Sequence, residues 1–144
     1  MSQCVSESMR RDSDRGFRRL DVVKEAHVLV KAVYTETAGF PKGELFGLTS
    51  QIRRAAVSVP TNIIEGHARR SRKEFLNFLN IANGSLVELE YLLGLSWNLG
   101  YLEKSKYSEV EAQRQKVAGY LVNLMKSLGR SQGIRASKSQ SSKP

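Results

Sequence analysis

The chain is poor in several residues, and each shortage closes off a class of protein. A single cysteine, Cys4, rules out an intramolecular disulfide. Prolines number three, and the last of them, Pro144, ends the chain. Short alternating apolar segments bounded by turn residues are missing, which argues against strands. No run approaches the roughly 20 apolar residues that cross a bilayer. The opening stretch MSQCVSESMRRDSDRG lacks the apolar block of a secretory signal, so a cytoplasmic protein with no membrane partner is expected. Acids are also scarce: 14 Asp and Glu face 23 Lys and Arg, for a formal net charge of +9. That imbalance turns the partner list towards polyanions (RNA, DNA or an acidic protein), unless it serves solubility alone.

Catalytic groups are thin as well. A helical di-metal site needs Glu-x-x-His, because positions i and i+3 share a face. Here His27 and His67 follow Glu25 and Glu65 at i+2, on different faces. His27 falls on an apolar stripe and reads as a core or edge histidine. No glycine-rich phosphate loop leads into a helix. No metal, no cofactor and no enzymatic activity are therefore expected.

What is present is helical periodicity, at 144 residues the size of one domain. Residues 1–16 read as a disordered lead-in, residues 17–129 as a four-helix bundle, and residues 130–144 as a flexible basic tail. The first helix is expected from Phe17 to Thr37, with Leu20, Val23, His27, Val30 and Tyr34 on one face. After AGFPKGELFG, a second helix is expected from an N-cap at Thr49 to a glycine stop at Gly66. Its apolar face is Ile52, Ala55, Ala56, Val59 and Ile63. Pro60 has no amide hydrogen and crowds the carbonyl of Ala56. Because the periodicity resumes at Ile63, a kink at Pro60 is expected rather than an end, with Ser58 and Thr61 helping to satisfy the freed carbonyls.

Ser71 and Glu74 form a capping box at the start of the third helix, which Gly100 stops after Leu99. Phe75, Leu79, Ala82, Leu86, Leu89 and Leu93 make its heptad seam. A second stripe, Phe78, Ile81, Leu92, Leu95 and Leu99, makes this helix either the central element of the bundle or one that also meets another subunit. The fourth helix is expected from Ser105 to Leu128, with Val110, Val117, Leu121, Leu124 and Leu128 inward and Gly129 beyond. Short connections favour an all-α, antiparallel up-down-up-down bundle. Asn62, Glu65, Ser85 and Glu88 sit at i, i+3 spacings on helices two and three, and read as a structural polar network that fixes register.

Antiparallel topology sorts the charge. The turn between helices two and three collects Arg18, Arg19, Arg69, Arg70, Arg72, Lys73, Lys126 and Arg130, against Asp21, Glu65 and Glu74. At the other end Lys42, Arg53, Arg54, Lys104 and Lys106 nearly balance Glu36, Glu44, Glu103 and Glu109. The first end is the candidate polyanion surface, where arginine forks match phosphate oxygens. Few aromatics interleave there beyond Phe17 and Phe75, so backbone or shape recognition is expected rather than base reading. Arg53 and Arg54, about 100° apart on their helix, are assigned mixed duty in stability, assembly and secondary charge.

The stretch FPKGELFGLTSQIRRAAVSVPTNIIEGHAR, followed by EFLNFLNIANGSLVELEYLL, resembles a family of four-helix-bundle proteins. It includes proteins encoded in intervening sequences of bacterial 23S ribosomal RNA genes, sometimes labelled ribosomal protein S23-like. Related to it is the accessory variability determinant of diversity-generating retroelements, a basic bundle that works with a reverse transcriptase and RNA. The resemblance spans roughly Leu20 to Leu128, and Arg53, Arg54, Pro60, Asn62, Glu65 and Gly66 carry its motif. It implies a homopentamer, no enzymatic activity and association with nucleic acid, RNA before DNA. The alternative it leaves open is a structural adaptor that docks an acidic protein or a polymerase such as a reverse transcriptase.

Overall fold

The computed structural model describes residues 21–140, with side chains described through Gly129. Four α-helices form: α1 (Asp21–Thr37), α2 (Leu48–His67), α3 (Arg72–Asn98) and α4 (Lys104–Gln140), with a 3-10 turn at Lys42–Glu44 between α1 and α2. No strand occurs among the described residues. Each helix packs against its sequence neighbours and α1 also packs against α4, which closes the expected up-down-up-down bundle. The lead-in, residues 1–16, lies outside the described residues.

The apolar faces expected of α2 and α3 are the core. Ile52, Ala55, Ala56, Val59 and Ile63 meet Leu79, Ala82, Leu86, Leu89 and Leu93, all buried. On α4, Val110, Val117 and Leu121 are buried, and Leu124 and Leu128 pack against them. The face of α1 is set differently from the sequence expectation. Val22, Val23, Ala26, Leu29, Val33 and Thr37 point inward, while His27 and Tyr34 are exposed. Apolar residues occur at two helical phases on α1, and packing against both α2 and α4 selects the one that faces the bundle axis. The second stripe of α3 also divides: Leu92 is buried, whereas Ile81 and Leu99 are about half exposed.

Helix ends follow local chemistry, and three differ from expectation. Thr49 does not cap α2. The cap residue is Gly47, and the Leu48 amide donates instead to Glu44 Oε2 at 3.0 Å. Gly66 does not stop α2 either; it is buried within the helix. A Cβ there would lie 2.6 Å from Phe78 Cβ and 2.9 Å from Phe75 Cδ2, so the glycine lets α3 approach α2 closely. Gly129 does not end α4, whose helical backbone reaches Gln140, so the segment expected as a flexible tail is helical over 130–140. A glycine stops a helix by taking a left-handed conformation, and among the described residues only Gly100 does so, at φ 78°. It closes α3 as expected, with its amide on Trp97 O at 3.0 Å.

Helix α2 passes through Pro60 without interruption. Thr61 Oγ1 donates to the carbonyls of Val57 and Ser58 at 2.9 and 3.2 Å, beside the one proline leaves without its amide partner. At the start of α3, Ser71 Oγ accepts from the Glu74 amide at 3.0 Å, as the capping box requires.

Candidate nucleic-acid interface

The turn from α2 to α3 presents Arg69, Arg70, Arg72 and Lys73 within five residues. Their charges are not equivalent. Arg69 Nη2 lies 3.0 Å from Glu65 Oε1, and its guanidinium stands 5.2 Å over the Phe78 ring. Arg69 follows the C-terminus of α2, where a cation suits the helix dipole. It therefore has a partner on its own helix. Arg70 and Lys73 are exposed and Arg72 is half-buried; no described carboxylate pairs with any of the three. Charge there opposes the dipole at the start of α3 and gives the fold no internal benefit.

Lys126 is exposed on α4. Downstream of Arg114 that helix contains no acid, and it carries Lys116, Lys126, Arg130, Arg135 and Lys138. The backbone of Arg130 belongs to α4. Arg18 and Arg19 lie outside the described residues.

The polar network across α2 and α3 has a different membership from the one expected. Ser58, expected to serve the carbonyls freed by Pro60, is its centre instead. Asn62 Nδ2 donates to Ser58 Oγ at 2.9 Å and to Ser58 O at 2.7 Å. Ser58 Oγ and Ser85 Oγ are 2.8 Å apart, and the Ser85 hydroxyl donates on to Ile81 O at 3.2 Å. Glu65 and Glu88 do not join it. Both are exposed: each stands about 60° round its helix from Asn62 or Ser85, at the edge of the shared face and on the solvent side of the α2–α3 contact. The spacing that mattered was i, i+4 from Ser58 to Asn62.

Two further polar clusters were missed. Arg114, only 7% exposed, fills the seam position of α4 between Val110 and Val117. Its Nε and Nη2 donate to the two carboxylate oxygens of Glu111 at 2.7 and 2.6 Å, and Glu90 lies 3.5 Å away. The Glu111 carboxylate holds the guanidinium charged more firmly than usual, against the opposing effect of burial. Gln113 Nε2 donates from α4 to Glu25 O and Oε2 on α1, at 2.9 and 2.7 Å, and Lys116 Nζ stands 3.3 Å from Glu25 Oε1. The Gln113 bond, with help from Lys116 and against desolvation, lowers the Glu25 carboxyl below its ordinary value. A polar residue inside a heptad seam was the signal available for Arg114.

At the other end, Arg53 Nε donates to Thr37 Oγ1 at 2.9 Å and its guanidinium lies 4.7 Å over the Tyr34 ring. It ties α2 to α1 and leans on neither Glu36 nor Glu44. Arg54 is exposed. Among the described residues no group of three or more His, Cys, Asp or Glu side chains is placed to hold a metal ion. No described helix is long and apolar enough to cross a membrane.

A family model described as 23S rRNA-intervening sequence protein matches residues 18–123. The chain belongs to that family. A Bacteroides thetaiotaomicron protein of unknown function, from the S23 ribosomal protein family, has a similar crystal structure, with a TM-score of 0.66 and 25% identity. The match covers 73% of this chain and 98% of that one. No curated protein matches. In this family member, most of the run through Arg53, Asn62 and Gly66 serves to join α1, α2 and α3.

Proposed function

We propose that this chain is a non-catalytic, oligomeric RNA-binding protein that contacts phosphates and helical shape with the α2–α3 end of its bundle. One observation carries the reading: Arg70, Arg72 and Lys73 lack carboxylate partners among the described residues, at a helix start that gains nothing from them. The acid-free stretch of α4 supports it. RNA is preferred to DNA because the family's description ties its members to 23S rRNA intervening sequences. Assembly as a homopentamer belongs to the same reading. Val87 and Tyr91, one turn apart on α3, are 58% and 69% exposed and offer apolar surface to another subunit.

Titrating a structured RNA across a salt series tests the binding. Phosphate contacts predict a steep linear fall of log affinity with log salt. Absence of binding even at low salt sinks the reading in favour of a protein-docking adaptor. Light scattering tests assembly: the expected mass is five times the 16.1 kDa chain, and a monomeric mass contradicts it.

A further inference from the structure

The α2–α3 turn offers charge but few exposed rings. Aromatic side chains collect at the opposite end instead. There a cleft of about 470 Å³, open to solvent, is lined by Tyr34, Leu45, Phe46, Thr49, Arg53 and Arg54 among others. The Phe46 ring is 94% exposed, beside a 3-10 turn that leaves it outside the core. Thr49 is 3% exposed, and its Oγ1 has no hydrogen-bond partner. Arg53 is clamped by Thr37 and Tyr34 through one nitrogen and one face, which leaves its two terminal nitrogens unused. Arg54 is exposed and has no ion-pair partner among the described residues. The nearby Glu44 carboxylate accepts the Leu48 amide through Oε2.

We propose that this cleft holds one unpaired nucleotide of a single-stranded RNA, its base on the Phe46 ring and its phosphate at Arg54. The inference rests on the RNA reading above and adds a second site at the far end of the bundle. A bare ring beside guanidiniums fits a single strand, since every base has a stacking face and every link carries a charge. Charge decides against a second copy of the chain as the occupant, because an apolar surface pressed here would bury Arg54 without a counter-charge.

The experiment uses the full chain with two probes, a short single-stranded RNA containing 2-aminopurine and a duplex RNA of the same sequence. Stacking on Phe46 quenches the 2-aminopurine on binding. Phe46→Ala, at a site too exposed to endanger folding, is expected to abolish the quench. It should weaken single-strand binding roughly 10-fold while changing duplex binding less than about 2-fold. Arg54→Gln is expected to weaken single-strand binding and lower its salt slope by about one. An unchanged quench and single-strand affinity in Phe46→Ala, with duplex binding intact, overturns this proposal alone. A drop in oligomer mass for Phe46→Ala assigns the cleft to contact between copies, and also overturns it. Failure of the wild-type chain to bind either probe removes the RNA reading, and this site with it.

Discussion

Arg114 is a charged residue in a position where the helix repeat asks for an apolar one. It survives there because Glu111 meets it with a two-pronged contact on the same helix. Arg114→Ala strands a carboxylate that is itself 13% exposed, so a loss of about 3–5 kcal/mol in urea unfolding is expected. Replacing Arg114 and Glu111 together by leucine removes both charges and is expected to be neutral or stabilising. Glu25 adds an acid-side dependence. Its folded carboxyl titrates below its unfolded value, so its contribution is complete above the ordinary carboxylate range and fades as pH falls through the lowered value. Glu25→Gln should therefore flatten the stability–pH curve on the acid side, which thermal melts from about pH 6 to pH 3 would detect. Neither cluster was read from the sequence. The seam drawn for the fourth helix stepped from Val110 to Val117 over Arg114, and spacing alone shows which face a residue occupies and not which partner meets it there.

At the scale of elements, the α2–α3 contact is the most specific in the fold. Gly66 holds the two helices close, and Gly66→Ala is expected to force Phe75 and Phe78 aside at a cost of about 1–3 kcal/mol, measurable by denaturant unfolding. Farther along the same contact, Ser58→Ala removes the link between Asn62 and Ser85 and should cost about 1 kcal/mol. Glu88→Gln, on the exposed face, should stay within about 0.5 kcal/mol. Helix number, order and the inward faces of α2, α3 and α4 were legible, because long segments with a single apolar phase leave one way to pack. The face of α1 was not, because Val22, Val28, Val30 and Val33 support more than one phase and only its neighbours choose. Gly66 and Thr49 misled for a shared reason. A glycine or threonine near a helix end has the composition of a cap, but Gly66 serves the close approach of α3, and Thr49 is buried inside the first turn of a helix that Gly47 caps.

Across the whole molecule, charge and aromatic surface separate to opposite ends of the bundle. The charge end was legible in the sequence, since antiparallel topology alone brings Arg69 to Lys73 and the end of α4 together. Pairing of Arg69 with Glu65 was not, and it keeps Arg69 out of the variant that tests the surface. Arg69 contributes a small i, i+4 stabilisation of about 0.3–0.5 kcal/mol and should be left in place. The direct test is the salt dependence of structured-RNA binding for the wild-type chain and for Arg70→Gln/Arg72→Gln/Lys73→Gln, each melted and weighed in parallel. The predicted result is unchanged melting and mass with weaker binding, and a salt slope lower by about one for each phosphate that is no longer neutralised. Equal affinity and slope in the two proteins would contradict the assignment of this end as the RNA-binding surface.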